Sequence, residues 1–171
     1  MKVNVRALAL CACVVFVSQA WANVLPAACG PDNVKFDVKT EKNQPAPEPP
    51  PQGKAQIVLI QTENIRVTLF SDATVRFGMD GAWVGADNGN SYFTLTVDPG
   101  IHHLCASWQS AIFKKSAAAS VTAKPGRVYY FVAPVVGIPQ GTATFGFSRV
   151  NADQGKYLIE KSKLSVSKPK K

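Results

Sequence analysis

Histidine and acidic residues are scarce in this sequence, with 2 His and 11 Asp plus Glu among 171 residues. The two histidines are adjacent, His102 and His103. On a strand they would point to opposite faces, so a zinc site would have to recruit Cys105 or the distant carboxylates Asp80, Asp87 and Asp98. No metal centre and no cofactor is expected. The chain also lacks a C-x-x-C pair, a G-x-S-x-G nucleophile elbow and a phosphate-cradling loop, since Gly85–Asn90 carries no lysine and opens no helix pattern. No catalytic residue is assigned. Charged residues make up 18% against 46% hydrophobic, a balance that excludes wholesale disorder and supplies a core. Beyond the amino-terminal leader no apolar run approaches the ~18 residues of a spanning helix, so the mature chain is expected to have no transmembrane helix.

The leader is the clearest segment present. Lys2 and Arg6 precede the apolar run Ala7–Val17, and Ala20-Trp21-Ala22 offers a small-x-small cleavage site. We read 1–22 as a secretory signal peptide cut after Ala22, which makes the mature protein periplasmic or secreted. A lipid anchor at Cys13 or Cys29 is the alternative, but Leu10-Cys11-Ala12-Cys13 and Pro26-Ala27-Ala28-Cys29 are both poor lipobox matches. Removing Lys2 and Arg6 leaves a formal charge of +6, and residues 160–171 hold +4 of it. Residues 161–171 therefore read as a solvated Lys-rich tail able to make weak contact with anionic surfaces. Export, and the lack of a basic stripe before the tail, argue against nucleic acid as a partner.

Between leader and tail the pattern is β. Val34–Val38 alternates within an N-terminal strand segment, 23–38, and five prolines between Pro45 and Pro51 mark 39–53 as a Pro-rich linker. From Lys54 short apolar runs are punctuated by turn signals: 56–60, 67–70, 74–79, 82–85, 92–97, 101–108, 119–123, 127–133 and 145–150. Asp80-Gly81 predicts a tight hairpin; Asp87–Asn90, Asp98-Pro99-Gly100 and Lys124-Pro125-Gly126 predict further turns. Asn151, with Gln154 three residues on, predicts a capped helix over 152–161. The expected fold is mainly β, an antiparallel β-sandwich-like domain over 54–160 with a short C-terminal helix.

Cys29 and Cys105 are the two cysteines left in the mature chain, and an oxidising compartment makes them the natural disulfide pair. Trp83, His102, His103 and Trp108 are the candidate ligand-binding residues. Aromatic rings near loop tips can stack on sugars or anchor a partner, with core packing the competing reading for both tryptophans. Asp87–Ser91 lacks the alternating carboxylates of a calcium loop and reads as a plain turn.

The segments ACGPDNVKFDVK (28–39), RFGMDGAWVGADNGNSYFTLTVDPGIHHLCASWQ (76–109) and KPGRVYYFVAP (124–134) together resemble a bacterial family designated domain of unknown function 2846. The resemblance implies an exported β-sandwich-like domain with a D-G hairpin and a later P-G-x-H hairpin, and it implies no activity. The expectation is an exported cell-envelope protein, a non-enzymatic binding or accessory module whose partner is an envelope protein or glycan. The alternatives are an envelope hydrolase acting on polysaccharide or peptide through Asp80, Asp87, Asp98, His102 and His103, and a structural envelope protein touching anionic lipid or wall polymer through its tail.

Overall fold

The computed structural model describes residues 25–42, 47–64, 73–110, 114–137 and 143–171. The leader and the run expected over 67–70 lie outside them. Strands β1 (Phe36–Glu41), β2 (Ala55–Asn64), β5 (Ser91–Val97), β8 (Val128–Gly137), β9 (Ala143–Phe145), β10 (Ser148–Val150) and β11 (Lys163–Pro169) form one sheet. Its order is β1-β11-β5-β2-β8-β10, with β9 also on β8. Strands β3 (Thr74–Met79), β4 (Ala82–Asn88), β6 (Gly100–Trp108) and β7 (Ser116–Ala123) form a second sheet in the order β4-β3-β6-β7. Helix α1 (Ala152–Glu160) connects β10 to β11. The expected sandwich with one short C-terminal helix is what the chain forms. Most pairings are antiparallel, with parallel ladders at β2–β8 and β11–β5.

The core follows from period-2 alternation. Ile57 and Leu59 of β2, Val75 and Phe77 of β3, Leu104 and Ala106 of β6, and Phe131 of β8 meet between the sheets. The intervening residues of β2 and β8, Val58, Ile60, Tyr130 and Val132, line the opposite face and are covered by Leu158 and Ile159 of α1. Tyr129 and Tyr130 are thus both buried, one on each face of their strand. The Asn151 side chain caps α1 by accepting from the Gln154 N–H at 2.9 Å. Gly155 lets the helix approach, because a Cβ there would lie 2.3 Å from the Tyr130 ring.

The Asp80-Gly81 hairpin forms as expected, with φ of 53° and 90°, the left-handed pair of a type I′ turn. The run expected over 145–150 divides into β9 and β10, because Phe147 leaves the sheet plane to pack on Phe77 and Phe131, ring centroids 5.9 and 5.5 Å apart.

Two expected boundaries need correction. Residues 161–171 are not a free tail, since β11 inserts between β1 and β5. Ser165 is buried there and Leu164 packs on the face under α1, so Lys163 and Lys168 are exposed residues of a strand. The N-terminal strand also runs on to Glu41, taking 39–41 from the expected linker, and it pairs with β11 from Phe36↔Pro169 to Glu41↔Leu164. Residues 47–53 have no regular structure, and the Glu48 carbonyl accepts from Gln56 Nε2 at 3.0 Å.

Candidate functional site

The outer face of the second sheet is crossed by residues 25–34, a strap that leads into β1. Cys29 and Cys105 form the expected disulfide, Cα atoms 5.2 Å apart, and they pack with Ala28, Leu25 and Trp83. The strap lies directly on β3: a Cβ on Gly78 would sit 2.8 Å from the Ala28 carbonyl and 2.9 Å from the Cys29 Cα.

Beside the disulfide, Arg76 is buried to 5% exposure. One guanidinium nitrogen donates to the carbonyls of Asp32 and Val34; the other reaches Asp32 Oδ1 at 3.4 Å and Ser107 Oγ at 3.2 Å. Its charged plane lies 4.4 Å from the centre of the Trp83 ring, whose Nε1–H donates to the Pro31 carbonyl at 2.7 Å. Burial pulls the Arg76 pKa below the ordinary guanidinium value and Asp32 opposes the shift; an arginine stays charged at neutral pH.

Arg76 forms the floor of a cleft of about 390 Å³ between the strap and the far end of β6. Lys35, Lys114, Lys115 and Lys170 stand around it, with Ser107, Gln109 and Ser110 as polar lining and Asp32 as its one carboxylate. The cations come from four separate stretches of chain. The Gln109 side chain clamps β1 by accepting from the Phe36 N–H at 2.7 Å and donating to the Phe36 carbonyl at 3.0 Å. The Lys170 N–H donates to the Lys35 carbonyl at 2.8 Å, which sets those two lysines side by side. Lys170 also pairs with Asp37 at 3.1 Å. Among the described residues, no carboxylate lies within ion-pair distance of Lys35, Lys114 or Lys115. Cationic side chains held this close around a concave surface favour an anion in the cleft.

The residues chosen from sequence divide around this cleft. Trp83 lies beneath Arg76, and Trp108 lines the cleft while remaining 6% exposed in the inter-sheet core. Its indole is a core group first. His102 and His103 lie at the other end of β6. His102 Nδ1 is 2.7 Å from Asp80 Oδ2 and its Nε2 is 2.9 Å from the Asp98 carbonyl; Asp80 Oδ1 accepts from the His103 N–H at 2.8 Å. Burial opposes charge on His102, but its hydrogen bonds to Asp80 and Asp98 outweigh that and raise its pKa above 6.5. Slight burial likewise opposes the Asp80 carboxylate, and the bonds from His102 and His103 hold it below 3.8. The two histidines point apart, as the strand alternation requires.

Asp87 is not the turn residue expected from sequence. It is the penultimate residue of β4, pairs with Val75 and points between the sheets with no exposure. Burial pushes its carboxyl well above 3.8, opposed in part by the nearby Ser165 hydroxyl and Gln61 backbone. Burial thus favours its neutral form. Neither of its oxygens, nor Gln61 Oε1, has a well-formed hydrogen bond among the described residues.

Sequence reasoning missed Arg76, Lys35, Lys114, Lys115 and Lys170 as a group. Arg76 alternates with the inward Val75 and Phe77, so the strand pattern reads it as an outward, solvated residue and gives no local sign that the strap covers it. No family model, no curated protein and no solved structure matches the chain. Among the described residues no helix is long and apolar enough to cross a membrane.

Proposed function

We propose that the chain is an exported, non-enzymatic binding module of the cell envelope, and that its ligand is anionic and enters the cleft above Arg76. The observation that carries the reading is the convergence of Arg76 with Lys35, Lys114, Lys115 and Lys170 on one concave surface. The disulfide supports export, because such bonds persist in oxidising compartments. The resemblance to domain of unknown function 2846 belongs to the same reading. A hydrolase finds less support: His102 spends both ring nitrogens on Asp80 and the Asp98 carbonyl, which leaves neither for proton transfer to a substrate.

Binding of pyrophosphate, followed by tryptophan fluorescence, tests the cleft, because Trp108 lines it. Binding is expected to saturate, to weaken with salt and to be lost in the double variant Lys114→Glu/Lys115→Glu. His102→Ala should bind as the wild type does. A response that does not saturate, or one unchanged by the double variant, refutes the reading. Export is tested by the intact mass of the protein from fractionated cells, expected to begin at Asn23.

A further inference from the structure

The sheet edges of this domain are guarded unequally. Strand β1 alternates Asp37, Lys39 and Glu41 along its length, β10 is three residues long, and β4 is covered where the Ala86 N–H donates to Ser167 Oγ at 2.9 Å. Charge, shortness and cover are the usual ways of blunting an edge. Among the described residues, strand β7 has none of them. It is eight residues, SAAASVTA, with no charge and no proline, and it ends the order β4-β3-β6-β7. The Trp108 N–H bonds to the Lys115 carbonyl at 2.9 Å, which fixes the phase of the β6–β7 ladder. By antiparallel alternation, the N–H and C=O groups of Ser116, Ala118, Ser120 and Thr122 face away from β6.

Beside that edge lies a groove of about 540 Å³, walled by Pro26–Ala28 of the strap, by Ala118 and Ala119 of β7, and by His103 and the carboxylate of Asp80, which is paired with His102. The basic cleft lies toward the start of the strand, where Lys114, Lys115 and Ser116 line it together with Leu25 of the strap. Lys124 and Arg127 follow the other end. We propose that β7 takes up an extended peptide segment of a partner protein as an added strand, with acidic residues at the ends of the segment set against these cations. This rests on the reading of the cleft as an anion site and names the ligand that would use it. Main-chain hydrogen bonds would supply affinity, and charge would supply selection. Pairing with a second copy is disfavoured by the same charges: in either orientation, two β7 strands would bring Lys114 and Lys115 of one copy against cations of the other.

The test uses a ten-residue alternating Thr/Val peptide with two glutamates at each end and its counterpart with lysines. The acidic peptide is expected to bind at least about tenfold more tightly, and amide exchange at Ala118 and Ser120 should slow in its presence. Ser120→Pro removes an outward donor without touching the β6 ladder. It should abolish peptide binding while leaving pyrophosphate binding intact. Peptide binding that survives Ser120→Pro without slowing exchange in the wild type overturns the added strand and leaves the anion cleft standing. Failure of pyrophosphate to bind the wild type saturably refutes the cleft. Equal affinity for the two peptides, no binding at millimolar concentration, or a dimer dispersed by Ser120→Pro overturns the proposal.

Discussion

On the outer face of the seven-stranded sheet, α1 rests on Tyr130 and Val132 through Gly155, Leu158 and Ile159, held by apolar packing and an Asn151 cap. On the outer face of the four-stranded sheet, the strap has no regular secondary structure, and is fastened by the Cys29–Cys105 bond, the Arg76 fork and the Trp83 indole. A helix satisfies its own backbone and needs only an apolar stripe to bury. An irregular strap must find partners for its carbonyls, which Arg76 provides for Asp32 and Val34, and Gly81 for Ala28 at 3.2 Å. The polar fastening is also what gathers positive charge. A cover made by packing leaves a quiet surface, and a cover made by charge leaves a site.

The largest effect should separate the two covers by redox state. Reduction, or Cys29→Ser with Cys105→Ser, is expected to remove about 2 to 4 kcal/mol, lowering Tm on the order of 5 to 15 °C. Amide exchange should then accelerate in the strap and leave α1 unchanged. Equal acceleration on both faces would end the distinction.

Next in size is a pair of added methyl groups. Gly155→Ala drives a Cβ into the Tyr130 ring and Gly78→Ala drives one into the Ala28–Cys29 backbone. Each should cost about 1 to 3 kcal/mol by urea unfolding. Only Gly78→Ala should also weaken pyrophosphate binding, because it displaces the strap that walls the cleft.

The smallest effect is in pH. The strap side carries the His102–Asp80 pair, while the shifted groups under the helix are Tyr92 and Tyr130, which burial raises above 10. The raised His102 pKa means that its contribution is complete below about 6.5 and is lost as pH rises through the raised value. The depressed Asp80 pKa means that its contribution is present above about 4 and is lost as pH falls through the depressed value. Tm should therefore decline as pH rises above about 6.5 in the wild type and stay flatter in His102→Gln. Asp80 is half exposed, so solvent screening keeps the change small.

Much of the fold was legible in the residues. The Asp80-Gly81 turn, the strand at 101–108, the capped helix and the Cys29–Cys105 pair each rest on local chemistry or on elimination within a short inventory. Strand β11 was not legible, because its inward residues Ser165 and Ser167 are small and polar while Lys163 and Lys168 dominate its hydropathy. Asp87 was misread for a related reason: next to Asn88-Gly89-Asn90 its composition is that of a turn, and only pairing with Val75 turns it inward. The cleft was invisible in principle, since no window contains Lys35, Arg76, Lys114 and Lys170 together.

The pairing of Phe36 with Pro169 has a consequence for the order of assembly. A chain emerging amino end first holds β1 without its neighbour until nearly all of the rest has followed. The hairpins of the four-stranded sheet close over short separations and can form early, whereas the β1–β11 seam waits for the last strand to arrive. A chain cut short before β11 would leave open the two strand edges, on β1 and β5, that β11 joins in the finished protein.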